Sequence, residues 1–316
     1  MTAKDYLSPD EIKTLLERSD LKACIEMATT WGWIAFAFVL SGSFPHPLTI
    51  FISLWILGGK QLGCAIIMHD TSHYAVFESK EANERWGNWL GGHPIFIDLK
   101  RYRPYHLQHH VRTGREDDPD LLLTRGYPTS RASMARKFLR DLTGITGIKA
   151  FFGLMLIHAG LLHFNLGNKV EWLKKEERRG LWHLIEFVKN FSGPLMANVL
   201  IFAVVWSVGA PWLYLLWVGA YLTTYQFCLR VRSIAEHSVV PDREDDQRNT
   251  RTTTANFVER MLFAPHKVNY HAEHHVLMTV PPYNLPAMHK LLKQRNYYDR
   301  GLMEPGYLAV LRKAVR

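Results

Sequence analysis

The sequence predicts an all-α integral membrane protein, with four spans in two hairpins and a cytoplasmic helical cap that gathers histidines. Three observations predict it. Long apolar runs alternate with charged stretches, and two of the turns between them carry no Lys or Arg. The third is a repeated histidine pattern: His106-Leu107-Gln108-His109-His110 and His271-Ala272-Glu273-His274-His275, preceded by the pair in His69-Asp70-Thr71-Ser72-His73. If each stretch is helical, residues three and four apart share a face, so each box points two or three imidazoles in one direction. A helix presents metal ligands in that way. Two copies of one spaced pattern, among 16 histidines in 316 residues, are too many for surface polar helices to explain.

Composition agrees with a membrane protein. Hydrophobic residues make up 47% of the chain, with 10 Trp, 16 Phe and 13 Tyr. The mean hydropathy of −0.11 averages apolar runs with charged segments, so the local pattern decides. The net charge of +9 does not point to nucleic acid, because the basic residues flank apolar runs instead of forming a basic domain. Cys24, Cys64 and Cys228 are far apart, which excludes a disulfide framework and a CxxC site and leaves buried thiols as the expectation. The charged start, MTAKDYLSPDEIKTLLERSDLK, has no apolar core or small-residue cleavage site, so no cleaved secretory signal is expected.

In chain order, Ser8-Pro9-Asp10-Glu11 caps an amphipathic helix over residues 5 to 22, with Ile12, Leu15, Leu16 and Leu21 on one face. It is expected to lie on the membrane surface. Met27 to Phe44 and Leu48 to Met68 are the first two spans, the second long enough to cross about 30 Å of hydrocarbon. That run delivers the chain directly to His69. Residues 70 to 105, with Trp86, Trp89 and Gly91-Gly92, suggest an interfacial segment. The second box is followed by an acidic turn, Thr113 to Asp120. Residues 145 to 164 are apolar, but Lys149, His158, His163 and their glycines argue against a span there. Ser192-Gly193-Pro194 opens the third span, which runs to Val208, and Trp212 to Leu229 forms the fourth.

The turns at 41 to 47 and 209 to 211 lack Lys and Arg, whereas the other connections are rich in them. The positive-inside rule therefore puts both termini and all three boxes on the cytoplasmic side. A fifth span at 145 to 164 would separate the second and third boxes. The expected organisation is one domain: a cytoplasmic N-terminus (1–26), a hairpin (27–68), a cytoplasmic segment with the first two boxes (69–191), a second hairpin (192–230) and a cytoplasmic segment with the third box (231–316).

Imidazole suits Zn, Cu, Fe or Ni, so ligand type alone does not name the metal. Catalytic zinc sites take three protein ligands and zinc has no redox chemistry, whereas eight or nine imidazoles suit two redox-active ions with positions open to dioxygen. A histidine-rich transporter would place its ligands near the bilayer midplane. A zinc protease of the HExxH type would need a general base where Asp70 stands, and would leave two boxes unexplained.

From about Leu48 to Leu292 the chain resembles the membrane fatty acid desaturase superfamily, which includes membrane hydroxylases and carotenoid ketolases. The three boxes in this order, with spans between the second and third, carry the resemblance. It implies two iron ions, dioxygen as co-substrate, and removal of hydrogen from an unactivated C–H bond to give a double bond in a lipid or thioester acyl chain, or an alcohol in the hydroxylase branch. It also implies a further histidine after the last span, which matches His237. The implied metal and catalytic set is His69, His73, His106, His109, His110, His237, His271, His274 and His275. Acyl-CoA members hold an asparagine one turn before that further histidine; Ser233 stands there in this chain. The phrase Val280-Pro281-Pro282-Tyr283-Asn284-Leu285-Pro286 resembles that of the lipid desaturases.

Groups that accept an N–H orient metal-binding imidazoles. Asp70, Glu236, Asn269 and Glu273 are the candidates, with Asp117 and Asp118 less favoured. His46, His93, His158, His163, His183, His266 and His289 lack the paired spacing and are expected to be structural or interfacial. Since no nicotinamide fingerprint or haem domain is present, electrons are expected from a separate ferredoxin, rubredoxin or cytochrome. Its expected docking surface is the basic cluster Lys174, Lys175, Arg178 and Arg179, with Lys290, Lys293 and Arg295 as the alternative.

Overall fold

Two long antiparallel helices carry the chain from the N-terminus to the first box. The computed structural model describes residues 3–167, 169–174 and 180–316. Helix α1 (Pro9–Leu15) is opened by a capping box between Ser8 and Glu11. The expected helix over residues 5 to 22 stops at Leu15, and a second cap at Ser19 starts α2 (Asp20–Ser43). The apolar face of α1 packs on protein. Leu7 and Leu15 are buried against Leu285, Met288 and Leu292, so this segment packs on the part of the chain that follows the third box. Helix α3 (Pro47–Ser72) then returns, with His73 as its C-cap.

Helix α4 (Lys80–Trp86) runs into a wide-turned stretch, Gly87–Gly92. Its glycines allow close approach to α3: a Cβ on Gly91 would stand 2.8 Å from the backbone nitrogen of Met68. Helix α5 (Leu99–Arg112) carries the second box and is capped by Asp98. Short α6 (Leu121–Thr124), α7 (Arg131–Leu142) and α8 (Ile145–His158) follow. At 14 residues α8 is about 21 Å long, too short to span, in keeping with the sequence.

Helix α9 (Trp182–Ser207) begins ten residues before the expected Ser192 and passes through Pro194. Asn198 secures that point by donating to the Pro194 and His93 carbonyls. The expected fourth span is two helices, α10 (Leu213–Leu222) and α11 (Thr224–His237), that meet at Thr223. Hydroxyls and an amide satisfy the carbonyls around the break: Thr223 donates to Gly219, Thr224 to Leu54 across the interface, and Gln226 to Tyr221. Among the described residues, three helices are therefore long and apolar enough to cross a membrane, α2, α3 and α9. The chain is a multi-pass membrane protein.

The last third departs from all-helical structure in one place. Strand β1 (Arg251–Thr253) precedes α12 (Phe257–Leu262), α13 (His271–Val276) and α14 (Leu285–Gln294), and pairs in parallel with β2 (Leu302–Glu304); α15 (Tyr307–Lys313) closes the fold. This small ladder holds the third box. The Thr253 N–H donates to the Asn269 carbonyl and the Asn269 side chain donates back to the Thr253 carbonyl, just ahead of α13.

Candidate metal centre

Four elements converge on one point: the C-terminal end of α3, the C-terminal half of α5, the last residue of α11 and α13. Together they bring nine imidazoles into two groups. His69, His73, His106, His110 and His274 form one, and His109, His237, His271 and His275 the other, with the ligand atoms in each within 4.8 Å of one another. Each HxxHH box is split between the groups, contrary to the expectation that a box points one way. Consecutive residues on a helix lie about 100° apart, so His110 turns with His106 while His109 faces the other group. Box three does the reverse, sending His271 and His275 to one group and His274 to the other.

The Nε2 atoms are spaced as ligands. His73 and His106 stand 3.0 Å apart, His106 and His110 3.0 Å, His110 and His274 3.1 Å; in the other group His237 and His271 are at 2.8 Å and His271 and His275 at 3.1 Å. Two donors at right angles around an ion bound at about 2.1 Å would lie about 3.0 Å apart, which is this spacing. His237 donates its Nδ1–H to the Asn249 carbonyl, so its Nε2 presents a bare lone pair to the His109 and His271 nitrogens. The buried Nε2 of His69 has no hydrogen-bond partner among the described residues. The donor set fits two cations.

Electrostatics fit as well. Burial, and after it the neighbouring imidazoles, push His106, His110, His274 and His275 well below the ordinary histidine range, which keeps their lone pairs free. His109 is the exception. Burial opposes its charging, but Asp118 and Asp120 outweigh burial and raise it.

The carboxylates sort differently from expectation. Asp70 accepts from His69 Nδ1 at 2.7 Å, and Asp118, the less favoured candidate, accepts from His109 Nδ1 at 2.8 Å. Asp118 also receives the Gly114 and Asp120 backbone N–H groups, so the acidic turn is a built support for that ring. Asp117 pairs with Arg112 instead. Glu236 lies 3.5 Å from His271 Nδ1 and is held by Arg232 at 2.7 Å. Glu273 accepts from Thr252 and Tyr298 and pairs with His289, anchoring α13 without touching a box ring. Asn269 likewise serves the ladder.

Several contacts have no simple signal in the sequence. Thr113 donates to the His109 carbonyl, so its oxygen receives the His275 Nδ1–H at 3.4 Å. Asn249 is twelve residues past His237, in a loop, and Arg232 reads as an ordinary helix-flanking cation. Ser233 donates to the Leu229 carbonyl of its own helix. Among the other histidines, His46 caps α3, His158 bonds the Phe96 carbonyl, His183 the Ala159 carbonyl, and His266 sits between Thr30 and Glu26. His93 faces Asp98, and none of the seven joins either group. An apolar cleft of about 780 Å³ opens between α2 and α9, lined by Trp31, Phe38, Trp89 and Leu200, and no box histidine lines it. Of the expected docking cluster, Lys174 is exposed, while Lys175, Arg178 and Arg179 lie outside the described residues.

Comparison with known proteins agrees with this geometry. The family model described as fatty acid desaturase matches residues 24–305. An sn-1 oleoyl-lipid 12-desaturase of Synechocystis is 25% identical over 92% of this chain and 82% of its own. A dihydrorhizobitoxine desaturase of Bradyrhizobium elkanii is 26% identical, covering 84% and 70%. A human sphingolipid delta(4)-desaturase/C4-monooxygenase is 24% identical, covering 89% and 72%.

Proposed function

The chain belongs to the fatty acid desaturase family, and with that as premise we propose that it is a di-iron, dioxygen-dependent oxidoreductase that introduces a double bond into the acyl chain of a lipid or thioester. The observation that carries this reading is the pair of imidazole groups on α3, α5, α11 and α13. His69, His73, His106, His110 and His274 hold one iron; His109, His237, His271 and His275 hold the other. Bound iron supplies the redox chemistry that lets dioxygen attack an unactivated C–H bond.

The protein's own groups do the rest. Asp70 and Asp118 fix two rings by accepting their Nδ1–H, Glu236 stands beside a third, and burial favours the neutral form of His106, His110, His274 and His275. In balance, dioxygen takes up two electrons, two protons and two substrate hydrogens, and two waters leave. The electrons come from a separate ferredoxin-, rubredoxin- or cytochrome-type carrier. The chain then forms one domain with four spans in two hairpins, α10 and α11 together making the fourth, and with both termini and the metal centre on the cytoplasmic side. The uncharged turns at 41 to 47 and 209 to 211 support that orientation.

The relative named as both desaturase and monooxygenase favours a second outcome, hydroxylation at the same centre. Mass analysis of lipid extracts from a host expressing the gene with a ferredoxin system tests the proposal. A product two hydrogens lighter supports desaturation, a product one oxygen heavier supports hydroxylation, and unchanged lipid in an iron-loaded, reduced preparation contradicts both.

A further inference from the structure

Helices α7 and α8 present cations and an apolar face that the metal chemistry does not use. Residues 131–158 carry five cations, Arg131, Arg136, Lys137, Arg140 and Lys149, and one acid, Asp141. Asp141 is fully buried and accepts from the Arg230 guanidinium of α11 at 2.8 Å, so its charge is answered inside the protein. Lys137 lies over the Tyr127 ring. Arg131, Arg136, Arg140 and Lys149 are exposed and form no ion pair among the described residues.

The apolar side chains are ordered beside these cations. At 100° per residue, Ala132, Ala135, Leu139 and Leu142 of α7 share a stripe about 80° wide, and Arg136 and Arg140 stand along one edge of it. Leu139 is 63% exposed. The other edge turns to protein, where Met134 is buried and the Phe138 ring meets Phe227 at 4.8 Å. On α8, Ile145, Ile148 and Phe152 share a face at three- and four-residue spacing, all exposed, with Lys149 beside them. The opposite face of α8 is packed: a Cβ on Gly147 would stand 2.5 Å from the Leu222 Cα.

The position of the pair is fixed by its neighbours. Phe227 also meets Trp55 of α3 at 5.4 Å, so α7 lies beside the apolar length of α3 and not beyond its end. Asn190 of α9 donates to the His158 carbonyl at 3.0 Å. Helix α8, too short to span, therefore lies against the first part of α9 and the end of α10, from which α11 leads to His237.

We propose that α7 and α8 rest in the bilayer interface on the side of the metal centre, with their apolar face in hydrocarbon and Arg131, Arg136, Arg140 and Lys149 on the phosphates of anionic phospholipids. An acidic soluble protein would meet the cations but would have no use for Leu139, Leu142, Ile145, Ile148 and Phe152. A neutral bilayer would cover those side chains and leave the cations without counter-charge. An anionic leaflet answers both.

The test uses the full-length, iron-loaded protein with Cys24→Ser and a bimane probe on Leu139→Cys. Vesicles hold equal parts of phosphatidylglycerol and phosphatidylcholine, with a nitroxide on the acyl chains of one lipid or the other. Both labelled lipids should quench the probe, and phosphatidylglycerol should be enriched beside it roughly 5-fold, the effect of one cation near an anionic surface. Arg136→Gln combined with Arg140→Gln should bring the enrichment toward one and leave quenching by labelled phosphatidylcholine intact. Should that double variant not fold, the probe protein decides alone, because high salt should lower the enrichment. Equal quenching by the two lipids, an enrichment that neither substitution nor salt changes, or an unquenched probe overturns the proposal. In the last case aqueous iodide tells the other occupants apart: a probe it reaches faces water and is open to an acidic soluble protein, and a probe that neither quencher reaches is covered by a second copy of this chain. The readout needs no turnover, so it stands apart from the desaturase reading.

Discussion

Asp118 shows how a single residue can be visible in the sequence and still be misjudged. Its turn was legible as acidic, but only the folded chain brings its carboxylate onto His109, with two backbone N–H groups fixing it. Glu273, in the middle of the third box, looked the better candidate and instead ties α13 to Thr252 and Tyr298. The reason is helical phase: Glu273 lies between His271 and His274 in sequence and faces away from both groups' donors. Asp118→Asn should therefore lower iron affinity or turnover about 10-fold to 100-fold, measured by iron titration and steady-state rates. Asp117→Asn, which loses only an exposed pair with Arg112, should change neither. Equal effects would remove Asp118 from its supporting role. The imidazoles also set a pH limit. Folding holds His106, His110, His274 and His275 neutral and depressed, so their contribution is present above the ordinary value of about 6.5 and is lost as pH falls toward the depressed values. Retention after dialysis of the iron assigned to the His106, His110 and His274 group should stay flat through that ordinary value and fall only at lower pH. A midpoint at the ordinary value would contradict the burial argument.

Among the elements, the boxes and the long apolar helices were readable because each rests on local periodicity. What resisted reading depends on contacts between distant segments. The break at Thr223 is made tolerable by Thr224 reaching Leu54 on α3, and the β1–β2 ladder pairs residues 251 and 302. The α3–α11 interface that carries His69 and His237 depends on Gly58, where a Cβ would stand 2.7 Å from the Tyr225 backbone nitrogen. Gly58→Val should destabilise the protein by about 1–3 kcal/mol or more, because backbone cannot yield as a side chain can. A lower apparent Tm and loss of iron are the expected readings, and Thr224→Ala should fail to rescue them. An unchanged Tm would mean that the helices part without cost.

At the scale of the whole molecule, the sequence pattern that mattered was charge. Because the turns at 41 to 47 and 209 to 211 lack Lys and Arg, the metal centre is expected on the cytoplasmic face. With Cys24 replaced by Ser, leaving only the two buried thiols, Ala210→Cys should react with a membrane-impermeant maleimide in intact cells and Lys290→Cys only after permeabilisation. The reverse pattern would invert the topology. The way two boxes are shared between two imidazole groups was not legible, since it emerges only when α5 and α13 meet in register. That sharing is also what the account depends on most. The direct measurement is iron per chain by elemental analysis in freshly isolated wild type, His109→Ala and His274→Ala, each still inserted in the membrane. The account predicts about two irons in wild type and a fall toward one in each variant, since the replaced rings serve different ions. One iron per chain, or stoichiometric zinc in protein that turns over as purified, would contradict it.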